Sequence, residues 1–298
     1  MTHGHSHGAG QRHVRPLAIA FALVVIFMVV EIVAGVLTGS LALMSDAGHM
    51  ATDALGMGMA LAAIVVAKKA SSSHDRTYGL YRVEILAALA NAVLLLAVAG
   101  YVIYEAIQRI GDPPEVLSGP MLAVAAIGLL VNIVGWRLLR EGAEESINVK
   151  GAYYEVVADL AGSLGVIAAA LIMITVGWPY ADPLFAGLIG LFIIPRAFVL
   201  GRQAVHILIQ AAPKHLDLTA ITDDLGSIDE VVDVHDLHIW TLTSDMDVAT
   251  VHLMTTTEAD VHPVLDSARS ILRDRYGIAH ATLQVEPDTH HGCAEVGW

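Results

Sequence analysis

LALMSDAGHMATDALG, residues 41–56, reads as a lipid-buried helix carrying His49 and Asp53 four positions apart. Residues 151–165, GAYYEVVADLAGSLG, repeat the pattern with Glu155 and Asp159. Side chains four apart share one face of a helix. Ionisable groups are expensive at membrane depth and tend to mark ion pathways. If the two helices cross, they supply four ligands, His49, Asp53, Glu155 and Asp159, to one metal ion. A hydrogen-bond network that merely holds two helices together is the structural alternative.

The surrounding composition is that of a membrane protein. The 298 residues are 55% hydrophobic, with mean hydropathy +0.62, well above a soluble globular average. A hydrocarbon core about 30 Å thick needs roughly 20 helical residues per crossing. Six spans meet this, approximately Leu17–Ser40, Leu41–Ala67, Tyr81–Ile107, Gly119–Leu139, Gly151–Val176 and Pro183–Val205. The first follows a tail with His3, His5, His7, His13, Arg12 and Arg15, has no small-residue cleavage site, and reads as a retained helix. Cys293 is the lone cysteine, so neither a disulfide framework nor a cysteine metal cluster is expected.

Short-loop Lys and Arg set orientation. Arg12, Arg15, Lys68, Lys69, Arg76, Arg82, Arg137, Arg140, Lys150, Arg196 and Arg202 fall on one side and Arg109 on the other, which places both termini in the cytoplasm. The net charge of −14 comes almost entirely from the chain beyond Pro213. That excess argues against a nucleic-acid partner and suits cation handling, although solvation also explains it.

After Ala212 the long apolar runs end. Leu218–Leu225 reads as a helix, Val231–Leu242 and Asp247–Thr255 as strands, Val261–Tyr276 as a helix and Ala279–Glu286 as a strand. The expected organisation is a His-rich tail (1–16), a six-helix transport domain (17–212), a cytosolic α+β domain (213–288) and a polar tail (289–298). Asp53-Ala54-Leu55-Gly56 echoes Asp159-Leu160-Ala161-Gly162, as two helices crossing closely over small residues would.

One imidazole and three carboxylates form a small anionic site for Zn²⁺ or a related divalent ion. Three carboxylates over-neutralise a dication, so proton uptake as the metal leaves makes metal-for-proton exchange a natural mechanism. Asp46 is expected beside His49 as a supporting or entrance group, Glu31, Asn91 and Asn132 in interhelical hydrogen bonds, and Asp182, before Pro183, as an N-cap. His74 and Asp75 form a candidate loop site, while His3, His5 and His7 can chelate transition metals or stand in a disordered tail. In the acidic domain His235, His252, His262 and His280 are candidate ligands. On a regular strand His235 faces away from Asp236 and His238, so these need a twist or a second subunit to share a site.

Taken together the chain resembles the cation diffusion facilitator family. The resemblance is carried by SLALMSDAGHMATDALG, YGLYRVEILAALANA, NVKGAYYEVVADLAGSLGV, ADPLFAGLIGLFI, VHDLHIWTLTSD and TVHL, in order and over nearly the whole length. It implies a polytopic α-helical protein with six transmembrane helices, a C-terminal cytosolic ferredoxin-like domain, a homodimer, an inner (plasma) membrane location, and export of divalent metal driven by inward proton flow. It places the transport site on His49, Asp53, Glu155 and Asp159. Glu155 stands where the family usually has His, which hardens the site and opens it to Mn²⁺, Fe²⁺ or Co²⁺, beside Zn²⁺ and Cd²⁺. In the cytosolic domain the family's metal positions fall on His235 and His252, with Gln284 and Glu286 on the last strand; a weaker or rearranged site there could recruit His262 or His280.

No cofactor is expected beyond the metal as substrate and regulator. The chain has no HExxH motif and the four-ligand site no open position, which argues against an intramembrane hydrolase and against any enzyme. A non-transporting metal sensor would leave the two buried pairs with little purpose.

Overall fold

A computed structural model describes residues 14–68, 78, 81–140, 147–243 and 246–290. Six long helices form the membrane part: α1 (Val14–Thr38), α2 (Leu41–Lys68), α3 (Tyr81–Gly111), α4 (Ser118–Arg140), α5 (Ile147–Val176) and α6 (Ala181–Leu208). They coincide with the six expected spans to within a few residues at each end. Among the described residues, five have stretches long and apolar enough to cross a bilayer. The sixth, α2, has the length, and it is the one studded with buried Ser45, Asp46, His49, Thr52 and Asp53.

Side-chain size decides which faces meet. α2 packs on α1 and α5, and α4 packs on the same two helices. One cluster joins Leu41, Ala42 and Leu43 of α2 to Met121 and Ala125 of α4 and to Val166, Ala169 and Ala170 of α5. A second joins Phe27, Met50, Ala54, Leu139 and Val156. Alanine recurs because lipid offers no hydrophobic drive between helices, so association depends on close van der Waals approach. On α3, Ala92, Ala99 and Ala106 stand at every seventh position and face Gly201, Gly190 and Gly187 of α6. The opposite faces carry large apolar side chains, such as Ile26, Val36, Tyr101, Leu130 and Phe198, that remain exposed and suit contact with lipid tails. α1 and α2 are joined only by Gly39 and Ser40; Gly39 sits at φ +72°, where a Cβ would be strained.

The chain divides into two compact units, Met1–Gly79 with Ala87–Arg202, and Leu80–Leu86 with Gln203–Trp298. The second contains α7 (Leu218–Gly226), β1 (Val231–Thr243), β2 (Met246–Thr255), α8 (Val261–Ser270) and β3 (His280–Pro287). Among the described residues this is the β-α-β-β-α-β ferredoxin-like order without its first strand. Asp217 caps α7 through the N–H groups of Thr219 and Ala220. The second helix was expected as one element to Tyr276; its last turn, Ile271–Arg275, is widened into a π-turn. β1 and β2 pair antiparallel, and β3 joins β2 in parallel after the crossover through α8. Ile221, Leu225, Val251, Leu253, Val264, Ala268 and Leu272 form the core between helices and sheet.

Candidate metal centre

α2 and α5 cross where their small residues coincide. A Cβ on Gly56 would lie 3.6 Å from Glu155 Oε1, and one on Gly162 only 2.6 Å from Asp46 Oδ1. Each glycine of the repeated Asp-x-x-Gly unit therefore lies under an acidic side chain of the opposite helix. The four-residue spacing on α2 sets His49 Nε2 3.6 Å from Asp53 Oδ2, and the close approach of α5 brings Asp159 Oδ1 to 3.5 Å from the same nitrogen. A tetrahedral ion with bonds near 2.0–2.2 Å needs ligand atoms about 3.3–3.6 Å apart. Ligand atoms of His49, Asp53 and Asp159 all lie within 4.8 Å of one another. Their residues are 4%, 3% and 0% exposed. Asp53 Oδ2 and both oxygens of Asp159 are buried without a hydrogen-bond partner among the described residues, so their lone pairs are free to meet a cation.

Glu155 is placed differently from the expected fourth ligand. Its Oε1 lies 3.0 Å from Arg196 Nη2, outside the converging trio. The same nitrogen donates to Asp53 Oδ1 at 3.2 Å, and Arg196 Nη1 lies 3.4 Å from His49 Nε2. Arg196 was expected with the cytoplasm-facing charges; it instead directs its guanidinium at the ligand set from α6. The residue was legible as a charge inside the apolar run GLFIIPRAFVLG, itself a functional pointer at membrane depth, but nothing in the sequence said which helix it faced. A cleft of about 680 Å³ reaches this corner, lined by Glu155, Ala158, Leu188, Leu191, Phe192, Pro195 and Arg196.

Other buried polar groups brace the helices. Asn91 donates to the Thr52 carbonyl at 3.3 Å and Asn132 to Ser163 Oγ at 3.2 Å, the interhelical bonds expected of them. Asp46 and Glu31 bury their carboxyl groups, the latter against Gly128. Asp182 does not act on its own helix. Its carboxylate accepts from Ser40 Oγ (2.6 Å), Leu41 N (2.8 Å) and Ala42 N (3.1 Å), capping α2. α6 begins at Ala181, which leaves Asp182 inside the first turn and free to reach across.

The second unit gathers His235, His252 and Glu286, whose ligand atoms also lie within 4.8 Å of one another. β-pairing sets His235 opposite His252 and, across the parallel pair, His252 opposite Gln284. Glu286 Oε1 lies 3.0 Å from His235 Nε2 and 3.5 Å from His252 Nδ1. The register breaks between His235 and His238, and Asp236 adopts φ +52°. This bulge turns Asp236 Oδ2 to 3.8 Å from His252 Nε2, the re-aiming that a regular strand would forbid. His280 and His262 stay out of the cluster. His280 opens β3 opposite Val248, four residues before Gln284 and so about 13 Å away along the strand; His262 stands exposed in the first turn of α8. His74, Asp75, His3, His5 and His7 lie outside the described residues.

Two family models match the chain: "Cation efflux transmembrane domain" over residues 17–209 and "Cation efflux protein, cytoplasmic domain" over residues 213–288. A metal cation efflux system protein, CzcD, of Cupriavidus metallidurans is 44% identical over 284 residues, spanning 95% of this chain and 90% of that protein. A cadmium, cobalt and zinc/H(+)-K(+) antiporter of Bacillus velezensis is 37% identical over 296 residues, with 98% and 94% covered. The zinc transporter ZitB of Escherichia coli is 38% identical over 298 residues, with 98% and 95% covered.

Proposed function

The chain belongs to the cation efflux family, a family of transporters, and we propose that it is a proton-coupled antiporter that exports divalent transition metal, chiefly Zn²⁺, from the cytoplasm. The carrying observation is the buried His49, Asp53 and Asp159 trio at tetrahedral spacing between two membrane helices. One nitrogen and carboxylate oxygens suit Zn²⁺, and the same set accepts Cd²⁺, Co²⁺, Mn²⁺ or Fe²⁺ with altered affinity. Relatives named for zinc, cadmium and cobalt support that range.

Residues 17–212 are the transport domain and 213–288 the cytosolic one, in a bacterial inner membrane with both termini inside. Cytoplasmic metal binds the deprotonated carboxylates, the helices rock to open the site outward, and external protons take the vacated oxygens. Proton binding there prevents the vacated carboxylate oxygens of Asp53 and Asp159 from facing a low-dielectric interior uncompensated during the return. No bond in a substrate is made or broken, so the chain transports without catalysis. Metal at His235, His252 and Glu286 joins two copies of the cytosolic domain in a homodimer and biases the rocking.

The test is metal uptake into proteoliposomes loaded with a metal dye and a pH dye, comparing wild type with His49→Ala. Zn²⁺ entry with opposite proton movement, lost in His49→Ala, is expected; unchanged flux in the variant would remove His49 from the pathway. Glu155→His in the same assay asks whether the unusual carboxylate shifts preference among Zn²⁺, Cd²⁺, Mn²⁺, Fe²⁺ and Co²⁺.

A further inference from the structure

We infer that Arg196 is a fixed counter-charge of the ion site, anchored by Glu155, that sets the site's metal affinity. The inference rests on reading His49, Asp53 and Asp159 as the transport site.

Geometry supplies the first step. One guanidinium nitrogen bridges Glu155 Oε1 and Asp53 Oδ1 at 3.0 and 3.2 Å, and the other faces His49 Nε2 at 3.4 Å. The two N–H groups on Nη2 can each donate to one carboxylate, so a single nitrogen holds Glu155 and Asp53 together while Nη1 faces the imidazole. The Asp53 oxygen it engages is Oδ1, while Oδ2 faces His49. The guanidinium thus flanks the cluster at Asp53 Oδ1 and at the His49 imidazole, while Asp53 Oδ2 and Asp159 lie beyond its contacts. Glu155 is spent on that contact. It serves as the anchor of Arg196 and not as the fourth ligand.

Charge supplies the second step. Asp53, Glu155 and Asp159 carry three negative charges when ionised, and arginine remains protonated throughout any biological range. The set with Arg196 sums to minus two, the complement of a divalent ion. Without it a metal-bound site would keep one excess negative charge. A cation held beside a dication also weakens its binding, by at least about tenfold for separations of several ångströms in a partly shielded site. Weaker binding eases release, so Arg196 favours turnover over retention.

The experiment compares wild type, Arg196→Gln, Arg196→Lys and Glu155→Gln as full chains, by proteoliposome uptake of Zn²⁺ and by calorimetric Zn²⁺ binding. Binding counted at this site is the part lost in Asp159→Asn, which sets aside other histidine clusters. Arg196→Gln is expected to lower KM for Zn²⁺ at least about tenfold and to lower the maximal rate. Arg196→Lys keeps the charge and should hold KM within about threefold of wild type. Glu155→Gln should raise KM by less than about tenfold, whereas a ligand role predicts a loss as deep as that of Asp159→Asn. An unchanged or raised KM in Arg196→Gln, equal effects of Gln and Lys, or a ligand-like loss in Glu155→Gln would each overturn the inference. If wild type moves no metal, the transport reading falls by itself, and the Asp159-dependent binding then decides: tighter in Arg196→Gln supports the counter-charge, unchanged, weaker or absent refutes it.

Discussion

Removing the carboxylate of Asp182 should unseat the start of the helix that carries His49 and Asp53. Asp182 is fully buried and accepts three hydrogen bonds, from Ser40 Oγ at 2.6 Å, Leu41 N at 2.8 Å and Ala42 N at 3.1 Å. Ser40 Oγ in turn accepts from Leu43 N at 3.1 Å, so the first N–H groups of α2 depend on one side chain borrowed from α6. Hydrogen bonds to a charged group are worth about 1.5–3 kcal/mol each, which for three gives a ceiling near 9 kcal/mol. Helix-cap replacements recover part of the loss through water and cost about 0.5–2 kcal/mol. Burial of this cap puts Asp182→Ala between those limits, at about 3–4 kcal/mol. Arg109 keeps Glu105 at 3.1 Å and the Gly39 carbonyl at 2.7 Å, so its charge is not stranded. At about 2–4 °C per kcal/mol for a chain of this size the melting temperature should fall by about 6–16 °C. Asp182→Asn retains one acceptor oxygen and should lose about half as much. The assay is thermal denaturation of the purified full chain in detergent, followed by fluorescence-detected gel filtration. A melting temperature for Asp182→Ala within experimental scatter of wild type would refute the claim that α2 is capped in this way.

Gly162→Ala places a methyl 2.6 Å from Asp46 Oδ1, and relief to van der Waals contact requires a shift of about 0.8 Å where metal sites tolerate about 0.2 Å. Zn²⁺ uptake at low concentration should fall at least about tenfold, while Gly165→Ala, whose Cβ would meet Phe185 at 3.6 Å, should behave as wild type in the same vesicles. Gly128→Ala drives a methyl to 2.5 Å from the Phe27 ring; an overpacked seam costs about 1–3 kcal/mol, read as a lower melting temperature, with Asp159-dependent Zn²⁺ binding unchanged in calorimetry. Glu286→Gln removes the carboxylate that faces both His235 and His252, and in an Asp159→Asn background it should weaken the remaining Zn²⁺ binding at least about tenfold; unaltered binding would place that metal elsewhere.

Local rules carried much of the architecture. The run lengths of apolar residues gave all six membrane helices, because a bilayer imposes one length and leaves lipid-facing side chains few alternatives. Alternation, turns and caps located the helices and strands of the second unit within one or two residues, apart from the widened turn at Ile271–Arg275, where no local signal distinguishes i+4 from i+5 bonding. Spacing put His49 and Asp53 on one helix face, and Glu155 and Asp159 on another, since four residues make just over one turn. The glycines after Asp53 and Asp159 hinted that those faces would meet.

Which groups arrive from a third direction was not legible, because helix periodicity orients a side chain about its own axis and says nothing of the neighbour it meets. Arg196 scored as a loop-facing charge until the packing of α6 turned it toward Asp53 and Glu155. Asp182 looked like a cap for its own helix until tertiary contact gave it to α2. The bulge at Asp236 likewise arises from pairing with β2, and it brings onto one side of the sheet residues that strand alternation would separate. By itself the sequence determined which helices exist, where they begin and end to within a few residues, and which residues share a face, since these follow from local geometry and the cost of polar groups in lipid. Only the tertiary structure decided that three of the four candidate ligands converge while Glu155 turns to Arg196, because that outcome depends on distances between helices far apart in the chain.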